Sequence, residues 1–378
     1  MRYKKIILVY IIIGLMFVPA VVYGEESDSP TDSSYYDYSE ITRITQSDGI
    51  TELDFGEIVN DFVQGNVNSA LEKLGESILA TAFYELSAQK SVIVKILSIG
   101  MIAAVFSNIA GAFVAGNISE TGFYITFTAL MGVMVAGYHI AADMVYDALD
   151  KLIELMEAIV PVYVLSVGFA SGQSSATGFY QVVALIIIFV EKIIQTVIIP
   201  LIYIYMITGL MNNIISGAYL TKACELIKSA VNWILKALLS IVVGMNVIQG
   251  LINPVVDSLK TSSFGKAASL IPGIGGALSS MSGIILGSGT LIKNSIGMAS
   301  MVAIVAVAFG PVIKAVIMSV AYKGAGALME PVSDKRIINS ITGIYESMGM
   351  LAKTLLYAVV FFLLSIAIVC SSTNYNMT

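Results

Sequence analysis

The stretch IGMASMVAIVAVAFGPVIKAVIMSV, Ile296 to Val320, carries one charge, Lys314, and is long enough to cross a lipid bilayer as a helix. Such a crossing needs about 20 predominantly apolar residues. Working outward, Leu355 to Val369 is a second apolar run, and Val231 to Leu251 a third, with Lys228 and Trp233 as an interfacial lead-in. Phe179 to Leu210 is longer than one crossing and is interrupted by Glu191, Lys192 and Pro200. Leu152 to Ala170, Gly122 to Ala141 and Ser91 to Phe113 complete the set, with Lys95 placed to snorkel to the headgroups. Ala267 to Gly287 is apolar but dense in Gly and Ser around Pro272, and it either crosses or dips in and returns. The expectation is an all-α, polytopic membrane helix bundle over 91–378, with about seven transmembrane helices.

Composition agrees. The 378 residues are 57% hydrophobic and 12% charged, with a mean hydropathy of +0.86. Average soluble domains carry about 25% charged residues and roughly 45–50% apolar ones. A chain with half that charge lacks the polar surface to stay dissolved, so membrane lipid is its solvent. The net charge of −6 is local. Acidic residues crowd the segment from Glu25 to Asp61, where Arg43 is the lone base, and the remainder is close to neutral. No basic patch with interleaved aromatics exists, which argues against nucleic-acid binding. Lys323, Lys335, Arg336 and Lys353 pull the penultimate loop towards the cytoplasm, whereas Lys222, Lys228 and Lys236 pull another loop, so the bases leave the orientation open. Cys224 and Cys370 lie far apart and read as free packing cysteines.

At the N-terminus, Arg2, Lys4 and Lys5 precede the apolar run Ile6 to Val18, then Pro19, small residues and the acidic pair Glu25-Glu26. That order describes a cleavable signal peptide over 1–24, the alternative being an uncleaved anchor. Residues 25–50, rich in Ser, Asp, Thr and Tyr, read as an acidic disordered tether. Over 51–90 apolar residues recur at three and four, from Ile58 and Phe62 to Phe83 and Leu86, which predicts amphipathic extracytoplasmic or interfacial helices.

Small residues repeat every fourth position at Ala103, Ser107, Gly111 and Ala115, and again at Gly168 and Gly172 and at Gly283 and Gly287. Such faces let helix backbones approach closely in lipid, within one bundle or between subunits. The candidate intramembrane polar residues are Glu191, Lys192 and Lys314, and the candidate kinks are Pro200 and Pro311. Lys314 either lines a polar path or pairs with Glu191 or Glu157. His139 is the only histidine, and no P-loop or nucleophile-elbow motif occurs. The sequence therefore assigns no catalytic, cofactor-binding or metal residues and no cofactor, and the chain is expected not to be an enzyme.

Several motifs, in order, resemble the stage III sporulation protein AE family of endospore-forming bacteria. They are Ala110 to Phe113, Ser269 to Gly276 (SLIPGIGG), Gly287 to Gly297 (GSGTLIKNSIG), Phe309 to Lys314 (FGPVIK) and Ala327 to Pro331 (ALMEP). The resemblance implies a multi-pass subunit in the mother-cell membrane engulfing the forespore. Its implied partners are the other stage III A-operon membrane proteins and, indirectly, a forespore membrane protein and a cytoplasmic ATPase. Together they would form a channel or secretion-like complex needed for forespore development, and the family brings no catalytic residues. The alternative from the residues alone is an independent secondary transporter or export permease. It would use broken helices near Glu191 and Pro200 and near Pro311 and Lys314.

Overall fold

The computed structural model describes residues 36–46, 54–88, 94, 98, 101, 117–171, 173–214, 219–268, 275–331 and 333–372. Among them the regular structure is helical: α1 (Ser39–Gln46), α2 (Phe55–Val63), α3 (Val67–Ala88), α4 (Asn117–Ser171), α5 (Gln173–Ile193), α6 (Ile199–Ile214), α7 (Thr221–Ala268), α8 (Gly275–Met329) and α9 (Lys335–Ser372). The signal-peptide segment, most of the stretch Ser91–Phe113 with its small-residue row Ala103, Ser107, Gly111 and Ala115, and Gly172 lie outside the described residues.

Among the described residues, five helical segments are long and apolar enough to cross a membrane: Phe127–Ala170, Ala176–Ile214, Thr221–Met245, Ser288–Met329 and Lys335–Cys370. The spans expected separately at Gly122–Ala141 and Leu152–Ala170 are one continuous rod, α4. The residues between them contain no Gly or Pro. Val145, Ala148 and Leu149 keep the buried stripe at helical spacing while Asp143, Asp147 and Asp150 point outward, so nothing ends the helix. The charges that looked like a loop are one face of that rod.

α8 runs antiparallel to α4. Gly137 of α4 meets Tyr322, Tyr163 meets Gly297, and Ala170 meets Gly289, where an added Cβ would lie 3.5 Å from the Ala170 backbone. α9 returns antiparallel to α8, with Ser319 donating to the Tyr345 carbonyl at 3.1 Å and Cys370 reaching Asn294 at 3.4 Å. Leu351, Leu355, Ala358, Phe361, Phe362 and Ile366 of α9 are fully buried. These three helices form the core. α5 and α6 lie against α4, through Tyr163 edge-on to Phe179 at 5.2 Å and Tyr138 beside Tyr203 at 5.8 Å. α7 rests on the outside by one stripe, Val231, Leu235, Leu238 and Val242.

The prolines act differently from one another. Pro311 lies inside the continuous α8, and Pro161, which the sequence reading did not single out, inside α4. Before Pro200 the helix widens into a π turn, Ile194–Ile198, with Ile199 N–H bonding to the Ile194 carbonyl. Proline has no N–H to give to the usual carbonyl, and the wider turn absorbs the mismatch without ending the helix.

Ser39–Gln46, within the stretch expected to be a disordered tether, is helical and docked, with Ile41, Ile44 and Thr45 buried. Eight residues are too few for a periodic signal to stand out, and an exposed Glu40–Arg43 pair supports the turn. α2 begins at Asp54, whose side chain accepts from Glu57 N–H at 3.1 Å, and it buries Phe55, Ile58, Val59 and Phe62. Gly65, at φ 77°, turns the chain into α3, a conformation that favours glycine. α9 starts at Asp334. Burial pushes the Asp334 carboxyl up, but hydrogen bonds from the Arg336 backbone and side chain outweigh it and hold the group below its ordinary range.

A methyl group on Gly137 would fall on the hydroxyl of the buried Tyr322. Gly137→Ala is therefore expected to destabilise the bundle by about 1–3 kcal/mol, read as a lower unfolding temperature in detergent. Gly132→Ala, with nothing within 4 Å of the added Cβ, should be neutral or better, and Tyr322→Phe should recover part of the Gly137→Ala loss.

Candidate functional site

The charges singled out from the sequence do not converge. Glu191 and Lys314 are half-buried, Lys192 and Glu157 are exposed, and Lys314 makes no ion pair with Glu191 or Glu157. An added Cβ at Gly168 meets Ala176 at 3.6 Å, an ordinary packing distance. Gly283 and Gly287 lie in the first turns of α8.

Polar contacts gather instead at positions that the sequence reading did not single out as site candidates. The first group joins α6, α7 and α9. Glu346 accepts from Lys228 Nζ at 2.8 Å and from the Tyr205 hydroxyl on the same oxygen, Oε2. One turn along α7, Asn232 accepts from Lys353 and donates to the Lys228 carbonyl at 2.7 Å. Lys353 also lies 5.8 Å from the centre of the Tyr357 ring. Lys228 and Asn232 are four apart on α7, and Glu346 and Lys353 two turns apart on α9, so each pair shares a face. The pairing of those faces is what a single sequence does not reveal.

The second group is in the core. Lys293 is fully buried, as are Tyr163 and Cys370, one from each of α8, α4 and α9. Lys293 and Asn294 precede Gly297 by one turn, and a Cβ on Gly297 would lie 3.1 Å from the Tyr163 hydroxyl and 3.4 Å from the Cys370 sulfur. A buried ammonium group among apolar helices is costly unless polar groups surround it. Glycine at 297 leaves room for the phenol and thiol to sit there. Lys293 escaped notice because it stands among Gly, Ser and Thr, not within the longest apolar run.

The third contact ties the N-terminal segment to the rod. The Arg43 guanidinium donates to Glu40 at 2.6 Å and to Glu154 of α4 at 2.7 Å. The Arg43 hydrogen bond holds the Glu40 carboxyl below its ordinary range, and the bonds to Glu40 and then Glu154 raise Arg43 further. Hydrogen bonds from Ser39 likewise hold Asp37 low.

These groups join helix to helix. Against known proteins, a family model described as Stage III sporulation protein AE matches residues 53–373. The chain belongs to that family. It is similar to the Stage III sporulation protein AE of Bacillus subtilis (strain 168), with 20% identity over 319 residues, 84% of this chain and 80% of the relative. No solved structure matches. Membership assigns the chain a role in sporulation, and its long apolar helices make it a membrane protein.

Two expectations follow from these contacts. In a double-mutant cycle, Tyr205→Phe and Glu346→Gln should show a coupling of about 1–2 kcal/mol in unfolding, since both act on one carboxylate. Independent effects would show that the shared hydrogen bond contributes nothing. For the N-terminal clasp, Glu40 has a depressed value in the folded chain, so its contribution is present at neutral pH and is lost as pH falls through the carboxylate range. Hydrogen exchange at 39–46, corrected for its intrinsic pH dependence, should quicken on acidification in the native chain. In Arg43→Ala it should be fast throughout.

Proposed function

We propose that this chain is an integral membrane platform subunit of a sporulation channel or secretion-like complex. It sits in the mother-cell membrane around the forespore, where other stage III A-operon membrane proteins assemble on it. A cytoplasmic ATPase and a forespore membrane protein are indirect partners. The observation that carries this reading is the use made of inward-facing polar groups: half-buried Glu346 of α9 bonds to both α6 and α7, and Lys293, Tyr163 and Cys370 of α8, α4 and α9 are fully buried in the core. A carrier instead needs a polar site between elements that move against each other. The residues that would serve a carrier, Glu191 and Lys314, stand unpaired with each other, and helix continues through both Pro200 and Pro311.

A tagged chain expressed at native level and purified from sporulating cells is expected to bring down other membrane proteins of the same operon. Lys314→Met and Glu191→Gln should each leave spore yield close to normal, while Gly297→Leu, which crowds the core around Tyr163 and Cys370, should abolish it. Recovery of a lone monomer, or loss of spores on removing either single charge, would favour an independent transporter.

A further inference from the structure

Two helices of the bundle each keep one stripe open. α7 buries Val231, Leu235, Leu238 and Val242, and on its opposite side Lys222, Leu226, Ser229, Trp233 and Lys236 are exposed. Only 22% of its most apolar stretch is buried, against 44% or more in the other four spans. α4 buries Val145, Leu149, Leu152, Met156 and Ile159 and leaves Asp143, Asp147, Asp150, Glu154 and Glu157 exposed. Both exposed rows step by four and three residues in turn, so each is a straight line along one face of its helix. Charge divides the same way. α4 carries six acidic residues and one lysine, whereas α7 carries five lysines and two acidic residues.

The two rows run in the same direction at overlapping heights. α8 is antiparallel to α4 and α9 to α8, while α7 is parallel to α9, because Lys228 meets Glu346 and Asn232 meets Lys353. Tyr345, next to Glu346, meets Ser319, and Tyr322, one turn from Ser319, meets Gly137. Lys228 therefore stands near the height of His139 and Asp143. Trp233 and Lys236, further along α7, stand near that of Asp147, Asp150 and Glu154, since each residue adds the same rise in both helices. Within one copy the rows do not meet. α5 and α6 pack against α7, α5 packs against α4, and the α7 row faces away from them. The α4 row is flanked by Arg43, which reaches Glu154, and by Gln195, which reaches Asp150, yet both carboxylates stay exposed.

We propose that the chain assembles head to tail with further copies of itself, the α7 row of one copy lying against the α4 row of the next. Copies inserted in one orientation and related by rotation about the membrane normal bring these two rows together parallel and level. The chemistry of the faces matches. The Lys236 ammonium, the Trp233 indole N–H and the Ser229 hydroxyl are donors, and the carboxylates of the α4 row accept. Carboxylates turned towards acyl chains are costly, whereas a basic helix offsets their charge. The interface uses two different patches of the chain, so each added copy leaves the same pair open at the ends, and the assembly grows until those ends meet. It requires none of the other proteins of the proposed complex.

Two differently tagged copies of the full chain, co-expressed in a bacterium without the sporulation operon, test this. One tag should capture the other copy from membranes dissolved in mild detergent. Lys236→Glu in both copies, or Asp147→Lys with Glu157→Lys in both, should lower capture about tenfold, because like charges then face each other. All three substitutions in each chain should restore it. The three residues are exposed, and circular dichroism of each variant checks the fold. Trp233, the sole tryptophan, gives a second readout. Asp147→Lys with Glu157→Lys alters a face remote from Trp233 in the same chain, so it should change the indole emission only through a neighbouring copy. Native copies that do not capture each other, folded variants captured like the native chain, failed restoration, or an unchanged Trp233 emission each overturn the proposal, and lipid then covers the α7 row. Which other proteins co-purify from sporulating cells is a separate result that tests the platform role alone.

Discussion

The close approach of α4 to α8 governs the rest of the architecture. Helices in lipid gain nothing from hiding apolar side chains, because acyl chains are equally apolar, and they associate by close packing and interhelical polar contacts. Gly137 and Gly297 stand where an added methyl group would collide with, or press upon, a side chain of the partner helix, and Gly289 brings α8 to the Ala170 backbone. With the two rods set at that distance, α9 fits against both. Its buried face, Leu355 to Ile366, is then covered from two sides.

Elements further from this core are held by different means. α7 offers a single narrow apolar stripe, and its polar contacts to α9 supply the missing specificity. Lys228 and Asn232 fix both its rotation and its height, since a shift of one turn would separate each from its partner. The N-terminal helices use a similar combination. Ile41 and Ile44 give α1 a buried face, the Tyr38 ring lies tilted against Phe55 at 5.3 Å, and Arg43 ties the exposed side to α4. Polar groups here define alignment, while apolar packing supplies most of the cohesion.

Helical class and membrane residence were legible from apolar run length alone, because nothing but a helix or closed barrel spans hydrocarbon without unsatisfied backbone. The partition of those runs was not. Acidic residues between Ala141 and Leu152 look like a loop in a linear reading, yet the backbone there stays helical and gathers them on one exposed face. Lys314 drew attention because it interrupts the longest apolar run, whereas Lys293, set among small polar residues, is the lysine that is fully buried. Its motif, GSGTLIKNSIG, entered the sequence reading only through resemblance. Tyr205, Lys228 and Glu346 come from three separate helices, and a single chain without its fold offers no reason to group them. The docked helix at Ser39–Gln46 was hidden by its brevity and by the acidic residues around it.

The π turn at Ile194–Ile198 acts as a phase shifter within the α5–α6 rod. A π turn carries one residue more than the α-helical path it replaces, and each residue of an α-helix is worth a rotation of about 100°. Everything beyond it is thus dialled around the axis relative to Phe179 and its neighbours. With that surplus residue, α5 keeps Phe179 against Tyr163 while α6 aims Tyr205 at Glu346. Without it, one of the two ends would face away from the bundle, so a local irregularity lets a single rod serve two differently oriented neighbours.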